Sequence, residues 1–402
     1  MMMESKRKTP EIRFAGFEEE WKKMEASDIF QPVSDKGHPG LTILSASQEF
    51  GMIPRSENGI DMSYGTQNVA TYKRVMPGQF IIHLRSFQGG FAHSEIEGIT
   101  SPAYTVMRLN NKDRQYDIFW KYVLVSENFI KRLESVTYGI RDGKSIKYDD
   151  FANLKFYVPQ KNEQQTISKF FKHINVLISQ QRAENEKLHT LKFALLSSLF
   201  PQGIETHPRI RLNNFIGDWE VKQLSEIISP YREVVETPHD GYERLGIRSH
   251  GKGTFHSYVP KGAELETAQM SVVRANNLIV NITFGWELAV AITESRDEGK
   301  LVSHRFPQFS FNEGHVPLFY RYSLINNHFR KHLTLASPGS AGRNRVLKID
   351  KMLEYKILVP SQEEQQAIAD LLTEYDRLIR FNEQKLEKLR NLKQAMLDKM
   401  FV

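Results

Sequence analysis

One spacing of apolar side chains occurs twice in the chain. From Glu163 to Leu199 there is no proline or glycine, and apolar residues fall at Ile167, Phe170, Phe171, Ile174, Leu177, Ile178, Leu188, Leu191, Leu195 and Leu199. A second run places them at Ile368, Leu371, Leu372, Tyr375, Leu378, Ile379, Leu386, Leu389, Leu392 and Met396. Residues three, four and seven apart share a helix face, so both runs predict long helices with a wide apolar stripe repeating every seven residues. At 1.5 Å per residue the first would reach about 55 Å. Each follows a proline, Pro159 or Pro360, which ends an extended run and suits a helix start. Halfway along, each stripe turns partly polar, at Gln181 and Glu184 and at Asn382 and Lys385, as a register-fixing patch does. The expectation is a coiled coil of the two helices, with Ile167, Ile174, Leu188, Leu195, Ile368, Tyr375, Leu389 and Met396 in its seam; packing of each helix on its own domain alone is the alternative.

The helices belong to a larger duplication. Ile12-Arg13-Phe14, Phe17 and Trp21 recur in order as Ile210-Arg211-Leu212, Phe215 and Trp219. Phe156-Tyr157-Val158-Pro159 with Gln164-Gln165 returns as Ile357-Leu358-Val359-Pro360 with Gln365-Gln366, and Leu199-Phe200 returns as Met400-Phe401. Shared ends thus enclose two blocks, 22–150 and 220–350, that match weakly. The blocks read as mixed and β-rich, with strand-like runs at Phe80–Leu84, Tyr104–Met107, Asn277–Ile282 and Leu288–Ile292, and turns at Pro77-Gly78 and Gly89-Gly90. The predicted fold class is α+β, in two pseudo-symmetric halves: segment 1–21, a β-rich block 22–150 and a helix 151–200, then a linker and repeat start 201–219, a block 220–350 and a helix 351–402. Two like halves in one chain favour a pseudo-two-fold arrangement, which makes the helix pair antiparallel and the whole a ruler with a globular block at each end.

Composition narrows the chemistry. The 402 residues include no cysteine, which excludes disulfides, thiolate metal sites and a cysteine nucleophile. A net charge of +6 permits a nucleic-acid partner without demanding one, and each block is close to charge balance, so any nucleic-acid face must be local. No leader and no membrane span is apparent, and a cytoplasmic location is expected. Basic and aromatic residues interleave at Tyr72-Lys73-Arg74 and at Arg85-Ser86-Phe87-Gln88 in the first block. In the second, Arg244, Arg248 and Lys252 lie in a glycine-containing stretch, with Phe284-Gly285-Trp286 further on. A basic, glycine-containing loop precedes each long helix: Tyr138–Lys144, with Arg141 and Lys144, and Gly339–Arg345, with Arg343, Asn344 and Arg345. Glycine lets backbone approach phosphate, Lys and Arg neutralise it, and Arg, Gln, Asn and Ser read base edges. Each patch alone is more often solvated surface; the loops gain weight from recurring at the same place. Catalytic readings fare poorly. Gly139 to Lys144-Ser145 is one residue short of a phosphate-binding loop. No histidines stand at metal-ligand spacing, and His83 and His93 read as structural. Asp149-Asp150 and Asp350 read as capping or packing residues.

The order of these motifs resembles the specificity subunit of type I restriction–modification systems. The opening Glu11–Phe17 with Trp21 is similar to the start of such subunits, and so are the divergent blocks, each followed by Val-Pro, an acidic/Gln-Gln segment and a heptad helix. The resemblance implies that each block is a target recognition domain reading one half of a split, asymmetric double-stranded DNA site. It implies that the helices set the gap and dock two copies of a modification (methyltransferase) subunit. S-adenosylmethionine would sit on that partner, with no cofactor in this chain, and restriction (translocase/endonuclease) subunits would join. It further implies that this chain is itself non-catalytic and engages no membrane. The rival expectation is a coiled-coil scaffold with two protein-binding heads and no DNA readout.

Overall fold

The computed structural model describes residues 8–47, 50–57, 66–83, 90–133, 146–201, 205–212, 215–339 and 345–402. The chain forms two compact units: Met1–Ala183 with Glu383–Val402, and Glu184–Asn382. The predicted helices are present as Lys161–Leu199 and Gln362–Lys399, and each gives one end to each unit.

In the first unit, Lys22–Glu25 pairs antiparallel with Lys155–Val158, and one helical turn, Ala26–Ile29, leads into a four-stranded antiparallel sheet. Its strand order is Phe30–Val33, Thr105–Leu109, Phe80–Ile82, Phe91–His93. Side chains alternate across a strand, and this sheet uses both faces. Phe80, Ile82 and Phe91 face the main core, with Trp120, Phe129, Phe151, Phe156 and the long-helix residues Ile167 and Phe171. Ile81, Ala92 and Val106 face a second core with Leu44, Met52 and Val75, which come from two small strand pairs. The main core is rich in edge-to-face aromatic pairs; Phe30, for example, meets Phe80 at 5.4 Å and Trp120 at 5.2 Å.

The second unit repeats the frame. Glu220–Gln223 pairs with Lys356–Val359, Leu224–Ile227 makes the helical turn, and the four-stranded sheet runs Ile228–Tyr231, Gln308–Phe311, Leu278–Val280, Val290–Ile292. Leu278 and Val280 face the main core while Ile279 faces the other way. There the halves part company. In place of two small strand pairs stands one five-stranded sheet, ordered Val234–Glu236, Gln269–Val272, Leu301–Val302, Tyr242–Ile247, Thr254–Val259. Divergent sequence has become divergent second layers on one common first layer.

The repeated motifs meet in the same way in both units. Arg13 makes a two-pronged bond to Glu163, 2.7 Å on each prong, and Arg211 makes the same bond to Glu364, at 2.9 and 2.5 Å. Both carboxylates are buried in the first turn of a long helix, where the helix dipole also favours negative charge. The next residue is a glutamine that closes the joint. Gln164 accepts from Tyr116 N–H at 2.8 Å and donates to the Pro159 carbonyl at 2.9 Å; Gln365 does the same with Val316 N–H at 2.9 Å and the Pro360 carbonyl at 3.0 Å. Each repeat start is also tied to a helix end, by Ile12 N–H to the Lys399 carbonyl and Ile210 N–H to the Ser198 carbonyl, both at 3.0 Å.

Within each unit the two helices pack antiparallel. In the first, Phe171 stacks on Phe401, and Ile174 and Ile178 meet Leu386, so one helix rises in number as the other falls. In the second, Leu199 shares a core with Ile368 and Leu372, while Lys192 pairs with Asp376. Of the expected seam residues, Ile167, Ile174 and Ile368 are buried, and Leu188, Leu195, Tyr375, Leu389 and Met396 are half-buried. The apolar stripe is wider than the helix contact: Leu191, Leu378 and Leu392 lie on the exposed side, with Val176, Phe193 and Phe381 beside the stripe. Gln181 and Asn382, the expected polar breaks, are buried, whereas Glu184 and Lys385 are exposed. The acidic residues before the helices do not cap. Asp149-Asp150 and Asp350 sit in the first turns of the short helices Tyr148–Ala152 and Ile349–Leu353, with no side-chain cap bond at either N-cap.

Replacing Arg211 with Ala strands a buried carboxylate and should cost about 3 kcal/mol, read as a lower urea midpoint; methionine at both 211 and 364 should recover most of it. A chain opened between 201 and 205 and closed by a short linker from 402 to 8 keeps every joint above. It should unfold as cooperatively as the original order, and loss of the thermal transition would count against the joints as the organising contacts.

Candidate nucleic-acid interface

Not every basic residue singled out in the sequence is free to meet a ligand. In the first unit, Lys73 lies on the strand Lys73–Val75 and donates to the Tyr104 carbonyl at 2.6 Å; burial pulls its pKa below the usual lysine value, and nearby Lys36 adds to this. Arg74, on the same strand, is held by Glu97 at 2.6 Å and by Asp35 at 3.5 Å. Such solvent-exposed pairs are weak, so a phosphate can compete for this guanidinium. Arg85, Ser86, Gln88, Arg141 and Lys144 lie outside the described residues. His93 pairs with Asp117 at 3.0 Å beneath the main sheet, and the His83 ring lies 6.1 Å from Tyr104 with its pKa lowered by burial; both have structural neighbours. Burial works to raise the Asp117 carboxyl, but the His93 hydrogen bond and charge outweigh it and hold it below its ordinary value.

The second unit gathers more. Its five-stranded sheet ends in the hairpin Tyr242–Ile247/Thr254–Val259, which carries Arg244, Arg248 and, in its turn, Lys252. His250, Gly251 and Gly253 take positive φ there, and the tight turn leaves Lys252 exposed. Two clefts border the hairpin. One, of about 360 Å³, lies against the turn residues Arg248 and Gly251–Thr254; the other, of about 620 Å³, lies against Arg244–Ile247, Ser249 and Phe255. Gly246 sets the shape of the second: a Cβ there would fall 2.3 Å from the Phe255 ring, which lies across the glycine and carries the Arg248 guanidinium at 5.1 Å. Arg248 also donates to the Thr254 carbonyl, so it braces the hairpin. Trp286 is half-buried in the turn Gly285–Glu287 with Arg345 over its ring at 5.5 Å, while Arg343 and Asn344 lie outside the described residues.

The fold thus brings Arg244, Arg248 and Lys252 onto one hairpin and joins Arg345 to Trp286. It also adds residues that the sequence reading passed over: Asn281, His304 and Arg305 in the larger cleft, Arg296 and Arg321 in the smaller. They come from loops, a short 3-10 turn and the helix Pro317–Ser323, far apart in the sequence. His304-Arg305-Phe306 and Tyr320-Arg321-Tyr322 do carry the basic–aromatic signature used elsewhere in the chain. No described helix is long and apolar enough to cross a membrane.

Known proteins place this architecture. Residues 254–391 match the family model of the type I restriction modification DNA specificity domain. The type I restriction enzyme MjaVIII specificity subunit of Methanocaldococcus jannaschii is 24% identical over 311 residues, which are 73% of this chain and 72% of that relative. The crystal structure of a type I restriction-modification S subunit from M. genitalium superposes with a TM-score of 0.59 at 14% identity, covering 98% of this chain and 99% of the other. A chain from a structural study of complex assembly and conformational transition of the type I R-M system gives 0.54 at 12% identity, covering 96% and 98%. At such identities the structural likeness is one of fold. The family that the motifs resemble is the one that these matches return: the specificity subunits of type I restriction–modification systems.

Proposed function

We propose that the chain directs a type I restriction–modification complex to a bipartite, asymmetric DNA target, each unit reading one half-site. The observation that carries this is the contrast within the duplication: one frame, with the same Arg–Glu and Gln joints, supports two different outer layers. Two different readers on a repeated mount are what an asymmetric split site requires. The long helices would set the gap, and half-sites about one helical turn, roughly 34 Å, apart would face the same side of the duplex. Repeated surfaces near the helix starts would dock two modification subunits carrying S-adenosylmethionine, and restriction subunits would join that complex. The exposed Val176, Leu191, Phe193 and Phe381 give the helices apolar surface for such partners. Methylation of adenine and cleavage would then be chemistry of the partners, with this chain non-catalytic.

Co-expression with a modification subunit followed by sequencing-based mapping of methylated adenines should return one split motif with a fixed gap; a genome without any motif-specific methylation would refute the proposal. Removing one heptad from each long helix, in matched fashion, should change the gap and leave both half-site sequences as they were. A scaffold with protein-binding heads predicts a different salt response: DNA affinity should fall with a log–log slope of about −0.9 per neutralised phosphate, where scaffolding gives none.

A further inference from the structure

We infer that the hairpin Tyr242–Ile247/Thr254–Val259 divides the labour of DNA contact in the second unit, the larger cleft beside it reading base edges and the smaller one holding phosphate. The inference rests on the DNA-reading function proposed above and assigns residues within it. Charge separates the clefts. The smaller one gathers Lys192, Arg248, Lys252, Arg296 and Arg321 against Glu294 and Asp376, a clear cationic surplus. Lys192 is spent on Asp376, while Arg296 and Arg321 share Glu294 at 3.0 and 2.6 Å. Two guanidiniums on one carboxylate leave net positive charge beside exposed Lys252, whose ammonium has no partner among the described residues. Such a surplus attracts phosphate without regard to sequence.

The larger cleft has no such surplus. Arg244 and Arg305 are matched there by Glu266 and Glu287, so it offers direction in place of field. The Arg305 backbone is pinned, its carbonyl accepting from Ile282 N–H at 3.0 Å, while its guanidinium bonds nothing among the described residues. Arg244 has a single long hydrogen bond, to Ser257 at 3.4 Å. Asn281 is only 9% exposed; its side-chain oxygen accepts from Thr283 N–H at 3.0 Å, and its amide nitrogen has no partner among the described residues. Exposed Phe255 and Phe284 supply apolar edges beside these donors. Glu287 is already committed to Ser249 at 2.6 Å. Uncommitted guanidinium forks, a held carboxamide and aromatic edges are the groups that recognise guanine, adenine and the thymine methyl, and a two-stranded ribbon of this kind fits a major groove.

The test uses the full chain, a randomised duplex DNA pool and sequencing of the bound fraction, followed by salt titration of single duplexes. Arg305→Ala and Asn281→Ala should each lower affinity for the preferred half-site about ten- to hundred-fold. They should relax selection at one or two base positions and leave the salt slope and the other half-site unchanged. Arg305→Lys keeps the charge but loses the fork, so it should relax selection too while disturbing the fold least. Lys252→Ala and Arg296→Ala should weaken all duplexes alike and make the slope shallower by about 0.9 for each phosphate no longer neutralised. The assignment is overturned if Arg305→Lys keeps the wild-type base preference, or if Lys252→Ala changes it. A wild-type chain that selects no sequence at all overturns the proposed function, and this assignment with it.

Discussion

Two buried carboxylates hold the organisation together. Glu163 and Glu364 each lie buried at the start of a long helix, and each is met there by the guanidinium that reaches it from the start of its repeat. The bond does more than neutralise charge. A planar fork on a carboxylate fixes orientation as well as distance, so the extended segment carrying Arg13 or Arg211 can approach the helix in only one way. The adjoining glutamine then satisfies the peptide N–H at Tyr116 or Val316, the orphan donor at the start of a second, shorter helix. One Arg, one Glu and one Gln thereby set the repeat start, the long helix and the helix beneath the sheet in register.

Because that joint is polar and directional, the outer layer of each unit has been free to change. The first sheet must present alternate side chains to the main core, which constrains Phe80 and Ile82 in one half and Leu278 and Val280 in the other. The reverse face carries a single small cluster in each case, around Ile81 or around Ile279, and a small apolar cluster can be covered by many topologies. Two strand pairs serve in one half and five strands in the other. Variation in sequence has gone where the packing constraint is weakest.

That difference also explains what the sequence disclosed. The helices were legible because periodicity records burial directly, and the repeat because both ends of each half meet the same joint. The inner strands were legible to within a residue or two. The apolar stripe overstated the helix pairing: Leu191, Leu378 and Leu392 keep the seven-residue spacing yet stay on the exposed side, since spacing says which face a residue shares and not what covers it. Arg13 and Glu163 looked like parts of a repeat, but their bond spans half a domain and no local pattern marks it. The clefts were hidden for the same reason. Arg244, Asn281 and Arg305 meet only once strands from separate segments align, and Lys73 and Arg74, adjacent to an aromatic in the sequence, prove partly engaged within the fold.

The two units differ in one respect with consequences for how the protein comes into being. The second is one unbroken stretch, Glu184–Asn382, whereas the first is completed by Glu383–Val402. Leu397, Met400 and Phe401 fill its main core, with Phe401 against both Phe119 and Phe171. On a ribosome, the first unit therefore cannot close before the whole of the second has been made, and its aromatic core stays open until Leu397–Phe401 leave the exit tunnel. A chain cut off before Leu397 would carry almost all of both units and still leave that core uncovered.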